Sequence, residues 1–499
     1  MEQQWKQSAY AYLDTALQEQ RNLELTQELR LGEGMPDIGQ ILWTEGQCML
    51  RGKEWQADAV SISGGVSVRV LYLPEDGSGV RCAEGWIPFR MEWDLPEGTP
   101  QGWLQIRCMA RSADARSISA RKMLLRAGVL VQSTAFVPGE ALIPEPVDLP
   151  EQVELLKSTW PLRLRKEAGE KTFQMDEEQE LPASVPAPEK LLTCRLEPRL
   201  TECRVLGNKL VFRGNGALHI LYRSQEGQIH SWDFSLPFSQ FVQLEGEYGN
   251  DAQAELAVCL TDLETELTAE GNMRLKAGLT AQYLVTDKQM LTTVEDAYCP
   301  GREMKLQRSE IALPVILETR RETFRPEQSI PAEADILADA VFLPDLPRLR
   351  QADSGWELNC AGQFHILYYG ADGSLRSGTG RWEGVESIPA GEGTRMVGSM
   401  LPADGVKGSI APGQIHAAGE LPVDTTAVTQ QKLPVVTGIT LGEAVPKDPL
   451  RPSLILRRAG HRRLWDIARE AGTTVEAIRR ANGLTEEPDP ERMLLIPVP

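Results

Sequence analysis

Apolar and polar residues alternate along a seven-residue segment that recurs three times in this chain. The copies are Val66–Tyr72, Gly216–Tyr222 and Gly362–Tyr368, and their tyrosines are 150 and 146 residues apart. Every second residue of the first copy, from Val66 to Tyr72, is large and apolar. This period of two predicts a β-strand with one buried face in each copy.

A turn signal follows each copy at the same distance. Four residues beyond each tyrosine an acidic residue precedes a glycine, in Asp76-Gly77, Glu226-Gly227 and Asp372-Gly373. Such pairs supply the positive φ angles of a tight hairpin turn. Each turn is followed by a tryptophan, so we predict three hairpins whose second strand carries an aromatic anchor: Trp86, Trp232 and Trp382.

Matching positions on the other face of these strands hold Arg69, His219 and His365. The two histidines suggest catalysis, but the first copy has an arginine there. Alternation places all three residues opposite the apolar stripe, so we predict polar side chains that face solvent.

The organisation around the repeats is predicted from composition. The first 30 residues are rich in Gln, Glu, Leu and Ala, which favours a helix. Proline-dense stretches at 138–150, 181–189 and 443–453 suggest joints between modules. The predicted fold is therefore mainly β, with an N-terminal helical segment (1–30), three tandem β-rich repeats (31–180, 181–330 and 331–445, the last with a degenerate second half), and a small C-terminal domain (446–499).

Charge narrows the possible partners. The chain has 52 basic and 71 acidic side chains, and its net charge of −19 disfavours nucleic acid and anionic membranes as ligands. From residue 451 onward nine arginines face seven acidic residues, so this end alone is mildly basic. The sequence shows no export signal and no apolar stretch long enough for a transmembrane segment, and a cytoplasmic protein is expected.

The sequence offers no catalytic constellation. Its eight cysteines form no Cys-x-x-Cys pair, and their apolar neighbours suggest reduced core residues. The histidines lack metal-ligand spacing, and the glycine pairs lack the third glycine of a nucleotide loop. We therefore expect no enzyme activity, no catalytic residue, no metal and no cofactor.

The last fifty residues show a different periodicity. A short apolar run from Ser453 predicts a strand, and Leu464–Ala468 has helical spacing that Gly472 would end. Thr473 and Glu476 form a potential capping box for a second helix that Gly483 would end. A closing strand is predicted at Leu494–Ile496, which gives the order strand, helix, helix, strand.

These residues resemble the LysM family at Gly460, Leu464-Trp465, Ile467-Ala468, Thr474-Val475, Ile478, Asn482 and Ile496-Pro497. LysM modules bind N-acetylglucosamine glycans in a groove between the strand–helix loop and the helix–strand loop. The resemblance implies a binding site at Gly460, His461, Arg462, Arg463, Leu464, Trp465 and Asn482.

The first loop departs from the family pattern. Most LysM members read Gly-Asp-Thr/Ser-Leu there, whereas this chain has two arginines between His461 and Leu464 and one residue more. The change favours an acidic or protein surface over a glycan. Leu464 also fits the periodicity of the core, and Trp465 fits either the core or a contact.

The repeats resemble the SPOCS domain of spore-forming Firmicutes through Leu236–Gly246 and the Leu-Tyr strands. SPOCS repeats followed by a LysM module imply a scaffold that localises the spore coat to the forespore from the mother cell. The implied partner is stage IV sporulation protein A, a coat morphogenetic ATPase. The alternative is a LysM protein that binds peptidoglycan of the wall or cortex.

Overall fold

A computed structural model describes residues 5–149, 152–353, 355–446 and 451–498. Within these ranges the chain forms twenty-two strands and two short helices, so the predicted mainly β fold is confirmed. Sheets of antiparallel strands account for nearly all of the structure outside the C-terminal end.

The N-terminal part of the chain forms two three-stranded sheets, in the orders β1-β6-β5 and β2-β3-β4. Their strands are β1 (Trp5–Arg30), β2 (Ile38–Trp55), β3 (Ala59–Pro74), β4 (Arg81–Asp94), β5 (Trp103–Ser119) and β6 (Lys122–Pro146).

The prediction of an N-terminal helix is wrong. Strand β1 pairs with β6 along its whole length, from Trp5 opposite Pro146 to Arg30 opposite Lys122. Helix propensity differs between residues by only tenths of a kcal/mol, and this long ladder outweighs it. The same pairing places residues 138–146 in a strand, so the first predicted joint is wrong as well.

The middle part of the chain repeats this arrangement with the sheets β10-β11-β7 and β8-β9. Its strands are β7 (Glu154–Gln179), β8 (Pro188–Ser224), β9 (Ile229–Tyr248), β10 (Gln253–Leu267) and β11 (Met273–Tyr298). The long β8 doubles back at Gly207, whose φ is +62°, so that Thr201 Oγ1 donates to the Arg213 carbonyl. Because β7 pairs with β11, the sheets cross the boundary expected at residue 180.

The third part contains two sheets, one built around β20 and one with the order β14-β16-β15 and β17 beside β16. Its strands are β12 (Arg302–Phe324), β13 (Glu327–Pro331), β14 (Ala334–Pro344), β15 (Arg348–Ala352), β16 (Gly355–Gly370), β17 (Leu375–Ile388), β18 (Arg395–Met400), β19 (Asp404–Ala411) and β20 (Gln414–Ala444). Strand β12 pairs with β20 as β1 pairs with β6, although the sequence similarity fades there.

The C-terminal module, residues 451–498, has the expected order of elements. Strand β21 (Leu454–Arg458) precedes helix α1 (Leu464–Ala471), helix α2 (Val475–Asn482) and strand β22 (Met493–Pro497), and the two strands pair antiparallel. Residues 447–450 of the third predicted joint lie outside the described residues.

The three recurring segments lie in β3, β8 and β16, and the predicted strands are confirmed. Gly77, Gly227 and Gly373 have φ between +68° and +85°, as the predicted turns require. We call the sheets that contain these strands the first (β2-β3-β4), second (β8-β9) and third (β14-β16-β15 with β17) hairpin sheets. The apolar stripe of each one enters a separate hydrophobic cluster.

Candidate functional site

Local sequence explains the two helices of the C-terminal module. The αL conformations of Gly472 and Gly483 end α1 and α2, as predicted. The second helix begins one residue later than expected, because the Thr474 side chain accepts a hydrogen bond from Ala477 N–H and caps it. Ile467 and Ile478 are buried between the helices and the sheet.

The predicted binding loop begins at Gly460, which has a φ of +63° and donates its N–H to the Pro490 carbonyl. His461 is exposed, whereas Leu464 is fully buried and belongs to the core. The Leu464 N–H donates to Oε2 of Glu487 over 2.8 Å. Glu487 therefore caps α1 and joins the two loops between which a LysM glycan groove would lie.

The loop arginines are paired within the module. Arg462 contacts Glu470 at 2.6 Å, and Arg463 lies 3.3 Å from Asp466. Hydrogen bonds from Arg462 and from Arg457 lower the pKa of the Glu470 carboxyl. These pairs are exposed and contribute little to stability. They do reduce the free positive charge that the sequence suggested.

Asn482 has a structural role. Its Nδ2 donates to the carbonyls of Ile478 and Leu495, each over 2.7 Å, and its Oδ1 accepts the Leu495 N–H over 2.7 Å. The amide thus links the end of α2 to β22. All of the polar atoms of this side chain are engaged by the backbone.

Trp465 is buried in the contact between the module and the rest of the chain. Its ring lies edge-on against Tyr298 of β11, with centroids 4.7 Å apart. Its Nε1 donates to Asp296 Oδ2 over 3.3 Å, and Arg469 reaches the same carboxylate. The Tyr298 hydroxyl donates to the Thr473 carbonyl over 2.9 Å. Helix α1 therefore holds the module on the end of β11.

We predict that the double substitution Asp296→Ala with Tyr298→Ala releases the module from β11. The change removes the charged partner of Arg469 and the aromatic partner of Trp465 without altering the module itself. Limited proteolysis should then cut between residues 443 and 453 several times faster than in the unmodified chain. Glu318→Ala, in an exposed pair with Arg320 on β12, is the control and should not change the cutting rate. Equal rates for all three proteins would contradict the docked arrangement.

The three hairpin sheets meet at a shared junction. Leu71, Leu221 and Leu367 occupy equivalent positions in β3, β8 and β16, and all three are fully buried in one cluster. These leucines lie on the face that was predicted to be exposed. The prediction is wrong because each hairpin sheet is covered on both faces, once by its own core and once by the other two sheets.

His219 contacts two carboxylates at this junction. Its Nδ1 lies 2.7 Å from Asp233, and its Nε2 lies 3.1 Å from Asp339 of the third hairpin sheet. Burial disfavours the charged imidazole, but the negative charge of Asp339 and the hydrogen bond to Asp233 outweigh it and raise the pKa of His219 to about 10. His219 is therefore an imidazolium that links two sheets.

His365, at the equivalent position, is held differently. Its ring lies edge-on to the Trp43 ring, with the ring centroids 6.2 Å apart. Burial lowers the pKa of His365, so its imidazole is neutral. Neither histidine faces solvent, which corrects the prediction for both.

The first two hairpin sheets are joined by further polar contacts that sequence reasoning missed. Arg195 pairs with Glu45, whose exposed fraction is only 8%. Arg69 donates to the Cys194 carbonyl over 2.7 Å, and its side chain is only 13% exposed rather than solvent-facing. The sequence did carry a signal for this burial. A leucine recurs in each copy on the same strand face as the polar residue, and apolar residues on both faces of a strand indicate that both faces are covered.

The described residues provide no metal centre, since no three His, Cys, Asp or Glu side chains converge as ligands would. All eight cysteines are free thiols and five are buried. Burial raises the pKa of Cys82, Cys203 and Cys360 to about 12, so these three are protonated and poorly nucleophilic.

Neither helix in the described part of the chain has the length and apolar character needed to cross a bilayer.

Two segments of the chain match a known domain family, described as SipL, SPOCS domain, at residues 37–116 and 188–268. No curated protein and no solved structure matches the chain. The first matched segment covers β2 to β5 and the second covers β8, β9 and β10. Both therefore begin with a hairpin sheet of the junction and continue into the strand that follows it. Two segments of the chain are thus similar to the SPOCS domain.

Proposed function

We propose that this chain is a non-enzymatic scaffold in spore envelope assembly and that its C-terminal module binds a protein. The observation that carries the proposal is the match of two segments to the SPOCS domain of SipL, a domain that suggests a role in sporulation. The interlocked hairpin sheets supply a rigid body for such a scaffold. The module, as a LysM-like domain, supplies the contact.

The bridge made by Glu487 supports a protein partner over a glycan. Its carboxylate lies between the two loops and accepts the Leu464 N–H. A sugar in this place would have to displace that bond and approach a carboxylate, and the acidic-hydroxyl pair of other LysM loops is absent. The basic module on an acidic body also suits an acidic protein surface.

The proposed partner is the ATPase stage IV sporulation protein A, and the proposed location is the mother-cell cytoplasm at the forespore surface. Binding would localise the coat there. In this proposal Arg462 and Arg463 lie at the rim of the contact, where they guide the approach of the partner. Trp465 acts within the chain, through its contact with Tyr298.

Titration of the full chain with the purified ATPase tests the proposal. We expect micromolar or tighter binding in the unmodified chain. Arg462→Ala with Arg463→Ala should weaken it by about 1 kcal/mol, more at low salt than at high salt. Arg480→Ala is the matched control, since its side chain is 81% exposed on α2 and, among the described residues, pairs with Glu476 alone. Absence of binding in the unmodified chain would exclude this partner.

Peptidoglycan is the alternative ligand, because the order of elements and the LysM-like residues also fit a glycan-binding module. In that case the full chain should sediment with purified peptidoglycan and be released by chitin oligomers. We expect neither.

A further inference from the structure

The outward face of the two-stranded sheet in the C-terminal module is apolar. Along β21 the outward side chains are Leu454, Leu456 and Arg458, and along β22 they are Met493, Leu495 and Pro497. Leu454, Leu456 and Met493 are 50%, 64% and 48% exposed in the complete chain. We call these six residues the outer sheet face.

This face is not needed to build the module. The opposite side chains Ile455, Leu494 and Ile496 already pack against the helices and form the core. The sequence carries the signal, because Leu454, Ile455 and Leu456 are consecutive apolar residues in a strand with only one partner strand. Large apolar side chains that remain exposed together on a small sheet are typical of an interaction surface.

The attachment of the module leaves the outer sheet face open. Contact with β11 is made by α1, through Trp465 and Arg469, and not by the sheet. The exposed fractions above include all neighbours in the described part of the chain. Helix α1 therefore fixes the module and the sheet is presented outward.

We propose that the outer sheet face binds the apolar side of a second protein, flanked by carboxylates of that protein. This inference rests on the proposed function, in which the module binds a protein, and it names the surface that does so. Arg458 ends the row of outward residues, and its side chain is 64% exposed. Its partner Glu491 is 77% exposed, so their pair is weak and a carboxylate of the bound protein can replace it.

A second copy of this chain does not fit the surface. Two chains that each carry a charge of −19 would repel each other. An acidic surface on a different protein complements the positive charge of Arg458 and of the basic module.

Substitution of the two exposed leucines tests the surface in the full chain. Leu454→Ser with Leu456→Ser should weaken binding of purified stage IV sporulation protein A by about 30-fold, the effect of about 2 kcal/mol of lost apolar burial. The matched control is Leu206→Ser with Leu317→Ser, leucines of the body that are 59% and 53% exposed, and it should bind as the unmodified chain does. If the unmodified chain binds the ATPase and both double variants bind it equally well, the inference is overturned.

A second arm separates this inference from the identity of the partner. Benzoylphenylalanine replaces Leu456 in one chain and Leu206 in another, and both are irradiated in sporulating cells. A cross-link from position 456 to a peptide with apolar residues beside Asp or Glu supports the outer sheet face. If that peptide belongs to another protein than the ATPase, the proposed partner is wrong and the surface stands. No protein cross-link from position 456, or the same products from position 206, would overturn the inference.

Discussion

His219→Ala is expected to lower the free energy of unfolding by about 3–5 kcal/mol, because it removes the cation that contacts the buried carboxylate of Asp339. Asp339 is only 4% exposed, and among its contacts the imidazolium of His219 lies 3.1 Å away. Burial disfavours an ionised Asp339, but the charge of His219 outweighs it and lowers the pKa of this carboxyl. Chemical denaturation at pH 6 measures the loss.

His365→Ala is the matched control. It truncates the equivalent residue of the third hairpin sheet, which is neutral and contacts the Trp43 ring. Only packing is lost there, and we expect a loss of about 1–2 kcal/mol. Equal losses at the two positions would show that packing, and not the buried charge, determines the stability of the junction.

The pH dependence gives a second measurement on the same pair of proteins. The folded pKa of His219 is about 10, above its unfolded value of 6.5. The stability that it contributes is therefore complete below about pH 6.5 and lost as the pH rises towards 10. The unmodified chain should lose stability over this interval, and His219→Ala should lose much less. Parallel curves would contradict a charged His219.

Asn482→Ala is expected to unfold the end of the C-terminal module. Three hydrogen bonds between α2 and β22 are lost, at about 1 kcal/mol each, and the small core of the module has little stability to spare. Amide exchange in β22 of the full chain should accelerate by about 100-fold, equivalent to about 3 kcal/mol.

The neighbouring Arg480→Ala should leave this exchange unchanged, because its side chain is 81% exposed. A binding role for Asn482 makes the opposite prediction. If the Asn482→Ala variant keeps the normal rate of amide exchange in β22 but no longer binds the partner protein, the Asn482 side chain acts in binding and not in folding.

Sequence reasoning succeeded where the deciding interactions are local. The alternation in Val66–Tyr72 and the glycine turn at Gly77 are set within about a dozen residues, and both were predicted. The ends of α1 and α2 at Gly472 and Gly483 follow from the same local rules. A glycine in the αL conformation needs no distant neighbour to be recognised.

Prediction from the sequence failed where a segment far away along the chain determines the structure or the burial of a residue. Residues 5–30 have helical composition, but their partner strand β6 begins about ninety residues later. The burial of His219 depends on Asp339, which lies in another repeat. Trp465 was left open between core and contact because Tyr298, which covers it, belongs to β11. A period of two identifies a strand, and it does not reveal what lies on either face.

The junction between the hairpin sheets has a consequence for how the chain avoids misassembly. Similar repeats in one chain can exchange places while they fold, as in domain swapping. Here each pair of sheets meets through different chemistry: Glu45 with Arg195, His219 with Asp339, and His365 with Trp43. If the second and third sheets changed places, Glu45 would face Val341 instead of Arg195, and its charge would be buried without a partner. Because the three contacts differ, they favour a single arrangement of the three similar hairpin sheets around the junction.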